Sequence, residues 1–171
     1  MKKYYLFFFF LIFHTNSFAE EKIFYLDVNF LLSESEAGKY INNELQIINN
    51  KNIEEFKKIE NSIKTEEEKL LKQKNILKEE EFNNKINKLR EKYKSYQELK
   101  NTKNNDLKIL RDTGRNQILK IINEILSEYS TKNKISLIME KKNIVIGKTE
   151  LDITKNILAL LNTKIKKVEL K

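Results

Sequence analysis

The chain has 171 residues and a formal net charge of +8, from 33 basic and 25 acidic side chains, with no cysteine, no proline and a single histidine. Lack of cysteine excludes disulfides, thiolate metal sites, cysteine nucleophiles and a lipid-modified cysteine. The one histidine, His14, lies in an N-terminal apolar run, so the rest of the chain lacks the imidazole of Ser-His catalysis, of zinc sites and of a pH switch near neutrality.

Residues 1–19 differ in kind from the rest of the chain. Lys2 and Lys3 give a positive start, Tyr4 to Phe13 form an apolar run, and Ser17-Phe18-Ala19 places small residues where a signal peptidase cleaves. The pattern predicts a secretory signal peptide and a mature chain from Glu20, with a retained anchor as the alternative. The run is too short for a membrane span of about 20 residues. Without Lys2 and Lys3 the basic count falls to 31 against 25 acidic, a mature net charge of +6. Such an excess steers acidic partners and admits contact with a membrane surface. Secretion, and the interleaving of lysines with acidic groups such as Glu54-Glu55 and Glu66-Glu67-Glu68, argue against nucleic acid.

Residues 22–28 are aromatic and β-branched, with Phe24, Leu26 and Val28 on one face, and predict a strand. Ile23 and Tyr25 make the other face apolar too, so the strand needs cover on both sides, which hints at oligomerisation. Ser33 with Glu36 fits a capping box, and Ser35 is a competing N-cap. Residues 33–132 then read as a helical arm. Phe56, Ile63, Leu70 and Leu77 repeat every seven residues, with Ile59 on a second seam that Glu66 and Gln73 continue. A stripe this narrow suits a two-helix contact. A second register starts at Phe82 and runs through Leu89, Tyr96 and Leu110, with Ile86, Tyr93 and Leu107 beside it. Lys100 and Lys103 interrupt it.

The chain is best turned between the two registers, with a tip about 75–81. Two antiparallel helices of roughly 65 Å and 75 Å result, at about 1.5 Å per residue. One uninterrupted helix pairing with another chain is the alternative. Ile118, Ile121, Ile122, Ile125, Leu126 and Tyr129 form a wider apolar face for packing on a body. Gly114, on the seam just before, marks a flex point or a close helix crossing. Residues 133–171 read as a β-hairpin, with strands at 135–139 and 144–146, followed by a helix that Asp152 N-caps. The expected fold is thus mainly α, a long antiparallel helical hairpin on a small three-stranded body, and residues 20–32 supply the first strand. Three strands with two apolar faces do not readily stand alone.

The segments Ile23-Phe24-Tyr25-Leu26-Asp27-Val28-Asn29, Ile135-Ser136-Leu137-Ile138-Met139 and Asp152-Ile153-Thr154, set around a long helical hairpin, resemble the Skp/OmpH family of periplasmic chaperones. Leu77 to Phe82 is also similar to the hairpin tip of many relatives. The resemblance implies a homotrimer whose strands build a β-barrel body, here through Phe24, Leu26, Val28, Leu137, Met139 and Val145. It also implies three arms that enclose unfolded outer-membrane β-barrel proteins in the periplasm, without ATP. No glycine-rich phosphate loop is present, and no cofactor is expected. Relatives are often described as having basic tips, whereas Glu79-Glu80-Glu81 makes this one acidic.

Apolar or aromatic arm residues off or at the edge of the seam are the candidates to touch a client: Ile53, Leu71, Ile76, Tyr93, Tyr96 and Leu99. Single exposed apolar residues are also ordinary. A passive coiled-coil scaffold holding a folded envelope partner is the alternative, and it would call for a long continuous seam. Adjacent carboxylates such as Glu66-Glu67 could serve an enzyme as acid and base, but on a solvated helix they read as surface charge.

Overall fold

The structure is a computed structural model that describes residues 21–170. The expected signal peptide lies outside the described residues. The order is β1 (Ile23–Leu26), α1 (Val28–Glu34), α2 (Glu36–Gln73), α3 (Glu79–Asn133), β2 (Leu137–Glu140) and α4 (Thr154–Lys164), with single 3-10 turns at Lys141–Asn143 and Thr149–Leu151. The fold is mainly helical with a small sheet of two strands. Helices α2 and α3 form the antiparallel arm, inserted between β1 and β2.

The first strand ends earlier than its apolar pattern suggests. Asp27 N-caps a helix, its carboxylate accepting from the Phe30 N–H at 2.9 Å, so Val28 begins α1 instead of closing β1. Ser35, not Ser33, caps α2 by accepting from the Gly38 N–H at 3.1 Å. The turn between α1 and α2 is so tight that a Cβ at Gly38 would lie 1.9 Å from the Leu32 carbonyl oxygen. Only glycine fits that corner, where the body becomes the arm.

The arm turns through residues 74–78, within a residue or so of the expected start. Lys78, at the N-cap of α3, supplies no side-chain bond. Glu79, Glu80 and Glu81 fill the first turn, where negative charge offsets the exposed N–H groups and the positive end of the helix dipole. The acidic tip is thus a helix-start device. At its other end α3 closes on Lys134, in the left-handed region at φ 52°, with the Ile135 N–H bonded to the Ser130 carbonyl at 2.9 Å.

The expected three-stranded body is corrected. β1 and β2 pair in parallel, Ile23 opposite Leu137 and Leu26 opposite Glu140. Residues 144–146 do not return as a hairpin strand. The chain coils at Lys141–Asn143 with the Ile144 N–H bonded to the Lys141 carbonyl at 3.0 Å, which does not reverse it onto β2. The other edge of β1 is taken by Asp152 as a parallel bridge and by the Ile153 N–H, 2.9 Å from the Tyr25 carbonyl. Val145 is left fully exposed.

The core lies where arm and body meet. Leu26 and Leu31 pack with Ala37, Ile41 and Leu45 of α2, Ile118, Ile122 and Ile125 of α3, and Ile153, Ile157 and Leu161 of α4. Each buried leucine or isoleucine contributes about 1.5–3 kcal/mol. The segment after α4 straps the joint. Val168 is buried, Gln117 donates to the Glu169 carbonyl at 3.0 Å, Lys166 pairs with Glu36 at 3.5 Å, and Lys167 lies 5.6 Å over the Tyr40 ring. Gly114 proves to be a close crossing, since a Cβ there would meet Ile41 at 2.8 Å and Leu170 at 2.9 Å, both at side-chain ends.

These two glycines should respond differently to alanine. Gly38→Ala forces a side chain into backbone and should cost about 3 kcal/mol. Gly114→Ala displaces only flexible side-chain ends and gains about 1 kcal/mol of helix propensity, leaving stability near wild type. Urea unfolding followed by circular dichroism reads both.

Candidate functional site

Two regions could do work, the arm surface and the open side of the body. The arm seam is less apolar than its heptads suggest, because cross-helix polar contacts fill its middle. Phe56 and Tyr96 meet edge to face, with centroids 6.0 Å apart and planes at 76°. Lys100 sits over both rings, at 6.0 Å and 5.8 Å, as cation–π partner. Lys103 pairs with Glu55 at 3.6 Å. The lysines that break the repeat in sequence are therefore matched in space. Nearer the tip Lys92 pairs with Glu66 and donates to Ser62 at 2.9 Å, and Lys85 reaches Gln73 at 3.3 Å. The Lys92 ammonium holds the Glu66 carboxyl below its usual range.

Tyr96 must be withdrawn from the client candidates. It is buried between the helices, and its hydroxyl donates to Glu60. That bond to a carboxylate, helped by burial, pushes the phenol up to about 12, so it stays a hydrogen-bond donor at any physiological pH. Ile53, Leu71, Ile76 and Tyr93 stand exposed, Ile76 at 80 % on the tip and Leu71 at 64 % beside it. Leu99 is half-buried. Ile47 and Ile109 are exposed apolar arm residues as well, absent from the candidates named on sequence grounds. Their off-seam positions, the signal that selects Ile53, would have found them.

On the body, an open groove of about 420 Å³ runs beside β2, lined by Leu26, Val28, Leu126 and residues 135–140. Leu137 and Met139 are exposed there, and among the described residues no second strand pairs with β2. Of the other body candidates, Leu26 belongs to the chain's own core, Phe24 and Val28 are half-buried against it, and Val145 projects into solvent, as does its neighbour Ile146.

A compact polar knot holds this body together. The Thr154 hydroxyl accepts from the Asp27 N–H at 2.9 Å and donates to Asp152. Asp152 also accepts from the Thr154 N–H at 2.9 Å and from Lys141 at 3.1 Å. It therefore steadies the start of α4 from one residue further out than a true N-cap. Burial alone would raise its carboxyl, but the Thr154 bonds and Lys141 outweigh burial and hold it below its ordinary 3.8.

A helical hairpin arm inserted between two parallel strands of a small, open-sided body is the class of fold this chain adopts. Among the described residues no group of His, Cys, Asp and Glu side chains is placed to hold a metal ion. The chain belongs to the OmpH-like family: the family model described as outer membrane protein (OmpH-like) matches residues 22–161. A crystal structure from Caulobacter crescentus CB15, described as a candidate outer membrane chaperone (OmpH-like), superposes with a TM-score of 0.80 at 15 % identity, covering 88 % of this chain and 89 % of that one. At that identity the likeness speaks to the fold alone. No curated protein matches the chain.

The knot has a pH signature. Asp152 has a lowered folded pKa, so its stabilisation is complete above about pH 4 and disappears as pH falls through the folded value. Asp152→Asn should cost about 1–2 kcal/mol at pH 7, with wild type and variant converging under strongly acidic conditions. Parallel urea titrations across pH check this. A gap that persists unchanged in acid would contradict it.

Proposed function

We propose that this chain is an ATP-independent periplasmic holdase that assembles as a homotrimer and encloses unfolded outer-membrane β-barrel proteins between its arms. The observation that carries the reading is an arm whose narrow seam leaves Ile53, Leu71, Ile76 and Tyr93 exposed, in a chain of the OmpH-like family. An unfolded barrel strand offers alternating apolar side chains and unpaired backbone groups, both prone to pair with another copy. Scattered single apolar contacts hold such a chain weakly at many points and keep it mobile. Its more favourable folding into the membrane then draws it off, because binding only shifts an equilibrium.

The open body supports assembly. The unpaired edge of β2, the exposed Leu137 and Met139, and the projecting Val145 and Ile146 are surfaces that sister chains would cover, the 144–146 segment becoming a strand only beside a neighbour. Residues 1–19 would direct the chain across the inner membrane.

Dilution of a urea-unfolded outer-membrane barrel into buffer, followed by light scattering without nucleotide, tests the reading. The protein should suppress aggregation near one trimer per barrel. Replacing Ile53, Leu71, Ile76 and Tyr93 together by serine should leave helicity intact and weaken holding roughly tenfold, equivalent to about 1.4 kcal/mol over the four sites. Aggregation at the same rate with and without the wild-type protein would refute the function.

A further inference from the structure

Where the arm leaves the body, a groove among α1, α2 and α3 adjoins a second groove between α2 and α3, the two sharing Asn42 and Arg111. Lys108, Arg111 and Arg115 line them from α3, spaced so that they stand on one helix face. The facing wall carries carboxamides: Asn42, Gln46 and Asn49 on α2. Asn29 and Asn104 lie at the two ends. No Asp or Glu lines either groove, in a chain that has 25 of them. Among the described residues none of the three cations lies within ion-pair distance of a carboxylate, and Arg115 only reaches the Asn29 Oδ1 at 3.5 Å. Elsewhere on the arm the seam lysines are matched, Lys92 by Glu66 and Lys103 by Glu55.

The unmatched cations call for a negative ligand, and the amides narrow its class. A carboxamide both donates and accepts, so the amides match the N–H and C=O groups of an extended polypeptide. A phosphodiester only accepts, and inorganic phosphate near neutral pH is chiefly an acceptor. The geometry points to an extended acidic segment of polypeptide, with Asp or Glu at alternate positions, as the occupant of this groove. The source of such a segment is the unfolded client, so the inference rests on the proposed function and adds the chemistry that the arm base recognises. From Asn104 to Arg115 the helix axis rises about 16 Å, room for about five residues of extended chain. Alternate side chains of that chain recur about every 6.6 Å, close to the rise of about 6 Å between Arg111 and Arg115. Two carboxylates separated by one residue can therefore each meet a guanidinium fork.

The test is fluorescence anisotropy on the assembled full chain with two labelled eight-residue peptides, one alternating Glu with Thr and one alternating Gln with Thr. The Glu peptide should bind about tenfold more tightly, and less so as salt rises. Combining Lys108→Gln, Arg111→Gln and Arg115→Gln should abolish the preference. Combining Lys85→Gln, Lys88→Gln and Arg90→Gln, the same charge loss nearer the tip, should retain most of it. Equal binding of the two peptides, or equal losses in the two triple variants, overturns the inference. Displacement of the Glu peptide by inorganic phosphate or by anionic phospholipid vesicles, where sodium chloride of matched ionic strength has no effect, also overturns it and assigns the groove to phosphate. Barrel aggregation measured in parallel separates the two readings. Protein that suppresses aggregation without preferring the Glu peptide loses the groove alone. Protein that prefers the Glu peptide without suppressing aggregation keeps the groove and loses the client reading.

Discussion

The Thr154 hydroxyl, held between the Asp27 N–H and the Asp152 carboxylate, joins the two ends of the molecule across the whole arm. Asp27 is the last residue before the chain departs into helix, and Thr154 opens α4 after it has returned. Between them lie α2 and α3, about 57 Å and 82 Å long at 1.5 Å per residue. A pair of four-residue strands is a weak platform for such a lever. The knot compensates by fixing β1, α1 and α4 together, so that Leu26, Leu31, Ile157 and Leu161 form one buried cluster with the arm base. Gly38 then lets α2 leave that cluster at a sharp corner.

Body and arm are built on different physics. The body relies on fully buried aliphatic side chains. The arm relies on a thin seam in which Phe56, Tyr96 and Lys100 stack and charged pairs bridge the helices. Exposed ion pairs contribute at most about 1 kcal/mol each, so the outer arm is the less stable part and opens at lower cost than the body. In the proposed holdase that division would let the arm yield to clients of different size while its root stays fixed.

Much of this was legible in the sequence. Seven-residue spacing placed Phe56, Ile63 and Leu70 on a seam, and the change of register at Phe82 located the tip. The Leu-Asp-Val and Asp-Ile-Thr segments carried the family likeness, and the structure shows that they touch. Other features were not legible, because they depend on contacts distant in sequence. Tyr96 lies at heptad spacing, but only its meeting with Phe56 and Glu60 shows it to be closed inside the arm. Gly38 lies in an ordinary helical pattern, and its necessity comes from the Leu32 carbonyl. The 144–146 segment has strand composition, yet the coil at Lys141–Asn143 does not turn it back onto the free edge of β2.

The central claim is that three such chains complete one another's bodies and hold an unfolded barrel between their arms. Native mass spectrometry of the chain from Glu20 onward, alone and after a urea-unfolded outer-membrane barrel is diluted into it, tests that claim most directly. The account predicts a trimer that carries one unfolded barrel and ignores a folded soluble protein. A monomer or dimer that leaves the barrel unbound would contradict it.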